Sequence, residues 1–189
     1  KTTAIIGSTG CGKSTLLNLI PRLYDVTEGS ITLDGVDIRT ISQKKLRDAI
    51  GYVPQKAVLF SGDIRSNIKY ADETISDDRM EEAAAIAQAT EFVEEKKKKN
   101  DSHIAQGGSN VSGGQKQRLS IARAIAKNPK IYLFDDSFSA LDYKTDKALR
   151  AALFEHAKDA TVIIVAQRIS TILHADQILV LDDGKIVGK

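Results

Sequence analysis

Gly7-Ser8-Thr9-Gly10-Cys11-Gly12-Lys13-Ser14-Thr15 follows the apolar run Ala4-Ile5-Ile6 and precedes Leu16-Leu17-Asn18-Leu19-Ile20. The order is strand, glycine loop, helix, and the loop fits G-x-x-x-x-G-K-[ST], the Walker A or P-loop pattern. Glycines let the backbone curl until successive N–H groups point inward as an anion nest. The helix beginning near Lys13 aims its positive end at the same point. Lys13 adds a full charge for the β- and γ-phosphates, and the Ser14 hydroxyl suits the shell of a Mg²⁺ ion. Gly7, Ser8, Thr9, Gly10, Cys11, Gly12, Lys13, Ser14 and Thr15 are therefore the expected nucleotide-binding residues, with a nucleoside polyphosphate and Mg²⁺ as ligands. Cys11, the only cysteine, reads as a small filler whose alkylation would block binding.

Bulk properties set limits around this loop. The 189 residues suffice for one good-sized core. With 42% hydrophobic and 28% charged residues the chain has a globular profile. A net charge of +2 gives no ground for a nucleic-acid partner. One cysteine excludes a disulfide framework. No apolar run approaches the roughly 20 residues of a bilayer span, and no secretory signal is visible. The chain starts a few residues before a strand and stops at Lys185-Ile186-Val187-Gly188-Lys189, which predicts a piece trimmed from a longer polypeptide.

Local chemistry orders the rest. Asp34-Gly35 and Asp183-Gly184 each sit between short apolar runs and predict hairpins. Ser42 and Ser76 are helix caps in waiting. Ile50-Gly51-Tyr52-Val53 reads as a strand ended by Pro54, which puts Gln55 at a strand's C-terminal end, where ligands of open α/β sheets collect. Residues 92–99 read as a helix whose lysine run is a solvated end.

Gly107-Gly108-Ser109-Asn110-Val111-Ser112-Gly113-Gly114-Gln115 leads into a helix over 116–127. Ser112 is a suitable cap, and the glycine pair exposes amides at a helix start, a second anion site on one chain. Ile131-Tyr132-Leu133-Phe134 is a short run suited to a buried parallel strand that delivers Asp135 and Asp136 to its C-terminal end. A carboxylate there, downstream of a P-loop, is the arrangement that holds Mg²⁺ through its shell. Ser139-Ala140-Leu141-Asp142 forms a tight loop, and the strand Thr161 to Val165 places Gln167 at the same sheet edge.

Over nearly its whole length the chain resembles the nucleotide-binding domain of an ATP-binding cassette (ABC) transporter, with wording around Gln55 closest to the exporter subgroup. Gly7 to Thr15 matches Walker A, Gln55 the Q-loop, Ser112-Gly113-Gly114-Gln115 the signature, Ile131 to Asp135 Walker B, Ser139 to Asp142 the D-loop and Gln167 the switch position. The resemblance implies an α/β P-loop NTPase (RecA-like) core with a mixed sheet, a small antiparallel β subdomain and an inserted α-helical subdomain. It implies one domain over 1–189, with the core at about 1–60 and 128–189 and the helical part at about 61–127. It implies ATP held between one domain's P-loop and the signature of a second domain, so that Ser112, Gly113, Gly114 and Gln115 act in trans. Ser14, Gln55 and Asp135 would be metal-binding, and Asp136, Gln167 and Gln55 catalytic. Partners would be a transmembrane domain and a second nucleotide-binding domain, at the cytoplasmic face of the cell membrane, with no nucleic acid.

Departures from the family pattern sharpen the expectation. Fully active members carry Glu after the Walker B Asp; here it is Asp136, a side chain shorter by about 1.5 Å. The switch histidine is replaced by Gln167, which donates a hydrogen bond but carries no charge. Both changes strike hydrolysis rather than binding, as in the degenerate-site subunit of a heterodimeric exporter; a slow homodimer is the alternative. Val111 and Gln106 stand where Leu and Glu are commoner, and the upstream aromatic that stacks on adenine is absent. A soluble ABC-type ATPase acting on DNA or ribosomes is the rival reading. Chromosome-type members need long heptads between the Walker motifs, and none occur here. An unrelated P-loop kinase or GTPase leaves Gln55 and Ser112 to Gln115 unexplained.

Overall fold

The computed structural model describes residues 1–189. Strands and helices alternate as β1 (Thr2–Gly7), α1 (Lys13–Leu19), β2 (Thr32–Leu33), β3 (Val36–Asp37), α2 (Gln43–Asp48) and β4 (Ile50–Val53). Then come β5 (Gly62–Asp63), α3 (Ile64–Ile68), α4 (Asp77–Ile86), α5 (Thr90–Glu94), β6 (His103–Ile104) and α6 (Gly113–Ala126). The chain ends with β7 (Ile131–Asp135), α7 (Tyr143–His156), β8 (Thr161–Val165), α8 (Ile169–Ile172), β9 (Gln177–Asp182) and β10 (Lys185–Gly188). No helix is long and apolar enough to cross a membrane.

Contacts divide the chain into two compact units, one of residues 1–52, 129–136 and 160–189, the other of residues 53–128 and 137–159. The first unit is built on a mixed sheet of order β10-β9-β1-β8-β7-β4. β1 runs parallel to β8 and β9, β7 parallel to β8, and β10 antiparallel to β9. Every residue of β7 is buried, as its unbroken apolar run requires of a strand covered on both faces. Ile5, Leu17, Leu133, Val165 and Leu181 share one apolar cluster. Ala4, Leu17 and Leu133 are fully buried.

Both hairpins form where the Asp-Gly pairs predict them. Asp34 and Gly35 have φ of 50° and 80°, Asp183 and Gly184 of 44° and 74°, the paired left-handed conformations of a type I′ turn. The first gives the small antiparallel β element, with Thr32 opposite Asp37. Ser42 accepts from the Lys45 amide to cap α2.

The second unit is mostly helical. Ser76 caps α4 by accepting from the Arg79 amide, and α4 buries Met80, Ala83 and Ala84. Arg79 donates to the carbonyls of Ile125 and Ala126 at 3.3 and 3.1 Å, satisfying the last turn of α6, whose acceptors have no partner within the helix. The predicted helix over 92–99 is shorter and earlier. It runs from Thr90 to Glu94, and the lysines lie in turns, with Lys99 at φ 45° and its ammonium 2.7 Å from Glu94. On a helix Lys96 and Lys99 would be like-charged i,i+3 neighbours, and a turn instead lets Lys99 fold back onto Glu94.

Candidate nucleotide-binding site

The first unit gathers its functional residues at one sheet edge. In the parallel register Ile5 lies opposite Val165, which lies opposite Asp135. The glycine loop, Asp135 and Gln167 therefore all leave the sheet at its C-terminal edge, where α/β sheets bind ligands.

The loop shows why glycine is needed. A Cβ on Gly7 would lie 2.1 Å from the Leu181 carbonyl oxygen. Gly12 precedes α1 at φ 100°, and no side chain caps this helix. Its first-turn amides remain available to an anion. Lys13 is buried and its Nζ donates to the carbonyls of Gly7 and Ser8 at 2.8 and 2.7 Å. Cys11 Sγ lies 3.6 Å from the same ammonium, and Cys11 is part of the apolar cluster. The loop thus closes around its own cation, which stands where phosphate charge would be met.

Ser14 Oγ donates to Asp135 Oδ1 at 3.0 Å, so the loop helix and β7 bring together two hard oxygen donors of the kind that suit Mg²⁺. Burial pushes the Asp135 carboxyl above its ordinary range; the Ser14 hydrogen bond opposes this, Asp136 adds to it, and Lys13 opposes it. Asp136 is also buried. Its amide donates to the Val165 carbonyl at 2.9 Å and its backbone is left-handed, φ 47°. Gln167 lines a cavity of about 330 Å³ with Gly7, Ser8 and Thr9, so it borders the glycine loop. Sequence reasoning missed Tyr52, whose hydroxyl donates to Asn18 Oδ1 at 3.0 Å; burial, and after it the charge of Asp135, raise its pKa. The only sequence signal was its place on the strand that leads to Gln55.

Gln55 and Ser112 to Gln115 belong to the second unit. Ser112 Oγ accepts from the Gln115 amide at 3.2 Å, and Gln115 Oε1 accepts from the Ser112 amide at 3.1 Å. This capping box starts α6. Gly113 lies in open space: a Cβ there would meet nothing within 4 Å. Ser112 and Gly113 are exposed and Gly114 and Gln115 half-buried at the start of this helix. Arg123 was not singled out in the sequence. Its guanidinium donates to the Asn67 carbonyl at 2.8 Å and to the Val58 carbonyl at 3.0 Å, and burial pushes its pKa down to about 10.

A glycine loop folded about a buried lysine, between a parallel strand and a helix and beside a serine–carboxylate pair, defines a P-loop nucleotide-binding α/β domain. The model of the ABC transporter family matches residues 1–139, and the chain belongs to that family as its ATP-binding domain. It is 51% identical over 190 residues to an uncharacterized ABC transporter ATP-binding protein of Mycobacterium tuberculosis, covering 99% of this chain and 32% of that protein. An ATP-dependent lipid A-core flippase of Vibrio parahaemolyticus is 46% identical over 190 residues, covering 100% of this chain and 33% of the flippase. The solved structure of a bacterial Atm1-family ABC exporter with ATP bound superposes with a TM-score of 0.95 at 41% identity, covering 98% of this chain and 32% of that one. The chain thus spans about a third of the length of these relatives.

Proposed function

We propose that this chain is the ATP-binding and ATP-hydrolysing cassette of a membrane exporter, and that its own site turns ATP over slowly. The observation that carries the reading is the Ser14–Asp135 pair at 3.0 Å beside the buried Lys13 loop, followed at once by Asp136 in the place of the usual Glu. In this reading Gly7 to Thr15 hold the phosphates of ATP. Ser14, Asp135 and Gln55 hold Mg²⁺, which supplies positive charge at the phosphate oxygens when bound. Gln55 contacts the metal or the attacking water, and Gln167 donates to the γ-phosphate.

Asp136 sits where a base must lie within about 2.6–3.2 Å of a water. A retreat of about 1.5 Å, one C–C bond, withdraws it from that range, and misplacement of this order costs about 10²-fold in rate. Ser112 to Gln115 retain the amides and the helix start needed to close a site in trans, so the chain completes a competent site on a second nucleotide-binding domain that is not identical to it. The transmembrane domain of the same transporter is its other partner, and the assembly works at the cytoplasmic face of the cell membrane. The relatives with export and flippase names support this class of work.

The test is turnover by the full parent transporter in its native assembly. Asp136→Glu with Gln167→His is expected to raise ATP hydrolysis at this site by at least 10-fold. An unchanged rate with nucleotide bound would remove the slow-site reading.

A further inference from the structure

Gln55 follows two carbonyls that are each held by a buried side chain. Ser137 Oγ donates to the Val53 carbonyl at 2.7 Å, and Gln117 Nε2 donates to the Pro54 carbonyl at 3.2 Å. Ser137 is 0% exposed and Gln117 2% exposed. All these residues lie in the second unit. Pro54 contributes a fixed φ and no N–H. The Pro54 carbonyl shares its peptide plane with the Gln55 nitrogen. With both carbonyls fixed, the plane that launches Gln55 is set, and the next torsions along the chain are those of Gln55 itself.

The origin of the two donors matters more than their number. Ser137 is bonded to Asp136, the residue in the place of the hydrolytic base. Gln117 belongs to α6, the helix that Ser112 starts. Its neighbour Arg118 turns elsewhere in the same unit, donating to the Gln88 carbonyl at 2.7 Å. The base position and the signature helix each send one buried donor to the root of the same loop. A shift of α6 along its axis would draw the Gln117 donor from Pro54, and a shift of the backbone at Ser137 would draw its hydroxyl from Val53.

We propose that Ser137 and Gln117 are positioning residues that aim Gln55, so that the seat of α6 and the chain at Asp136 jointly set what Gln55 detects. This rests on the reading of Gln55 as a contact to γ-phosphate or its metal. Hydrogen bonds that only satisfied two buried carbonyls would support stability alone. A clamp on Gln55 controls discrimination between nucleotides as well.

The experiment uses the full parent transporter in its assembly, with the other nucleotide site disabled at its own P-loop lysine. MgATP and MgADP compete with a fluorescent nucleotide at this chain's loop, and the ratio of their affinities is read. Gln55→Ala is expected to reduce the ratio roughly tenfold, the loss of about one good hydrogen bond. Ser137→Ala and Gln117→Leu should each reproduce most of that loss while MgADP affinity stays within about twofold. Either change combined with Gln55→Ala should add nothing further, since all act through one group. Ser137→Thr keeps the hydroxyl and should keep the wild-type ratio. If Ser137→Ala fails to fold, Gln117→Leu carries the test alone. An unchanged ratio in the variants beside a collapsed one in Gln55→Ala, or losses that add to it, overturns the clamp. An unchanged ratio in Gln55→Ala removes the clamp together with the reading of Gln55, and the two failures are told apart by that single variant.

Discussion

Asp136 holds a left-handed backbone, φ 47°, where Cβ crowds the carbonyl of an ordinary L-residue and Asp and Asn are among the best tolerated. The shorter carboxylate is thus suited to its backbone, whereas the proposed function makes it too short for hydrolysis. Asp136→Glu is expected to destabilise the domain by about 0.5–1 kcal/mol and lower its Tm by about 2 °C, while turnover rises. A thermal melt beside an ATPase assay reads the two effects, and a variant that gains both stability and rate would contradict this account. Asp135 carries the opposite trade. Burial raises its pKa above 3.8, against the Ser14 bond, with Asp136 adding and Lys13 opposing. A carboxyl raised on folding lowers stability above its unfolded pKa, and that loss is relieved as pH falls through the raised value. Asp135→Asn should therefore leave the nucleotide-free domain at least as stable at pH 7, yet lose Mg²⁺-dependent ATP binding by 10-fold or more. In the unmutated chain that binding should begin to weaken on acidification above pH 3.8, which titration calorimetry across pH would follow.

Elements divide into those the sequence announces and those it cannot. The Asp-Gly hairpins, the serine caps of α2, α4 and α6, and the buried strand before Asp135 rest on chemistry within a few residues, and each forms as that chemistry dictates. The helix expected over 92–99 instead stops at Glu94, because propensity alone ignores repulsion among the lysines and the pull of Glu94. The two-residue strands β5 and β6 pair Gly62 with Ile104, a match too short and too distant to leave a local pattern. The donors to Val53 and Pro54 come from residues 84 and 63 positions away, so no motif could place them. α6 gives a prediction at this scale, since Ser112 caps it and is also proposed to bind a phosphate in trans. Ser112→Ala should destabilise the domain by about 1 kcal/mol. Ser112→Asp keeps a strong cap and with it the melting temperature, while setting a negative charge where the proposed function has a phosphate dock in trans. Equal melting of Ser112→Asp and the parent, with binding in trans lost, separates the two duties; a melt as low as that of Ser112→Ala would show that the cap alone matters.

For the whole molecule, the two units carry different halves of the proposed work. The first holds the glycine loop, Asp135, Asp136 and Gln167; the second holds Gln55 and the signature residues. If two different domains share two sites, this chain lends its loop to a slow site and its signature to a fast one. Damage to the loop side then matters little to the total rate, and damage to the signature side matters greatly. In the parent assembly Asp136→Asn is expected to lower total ATP hydrolysis less than about twofold, because the slow site contributes little. Ser112→Asp should lower it 10-fold or more, because the charge enters the productive site at the partner's phosphates. A homodimer gives a different result, since every site there contains the substitution whichever single variant is made, and both variants lose rate. Steady-state hydrolysis by the two single variants, normalised to bound nucleotide, therefore distinguishes an asymmetric pair from a symmetric one before any partner is named. Comparable losses in both would leave the fold and the nucleotide site intact and remove the non-identical partner.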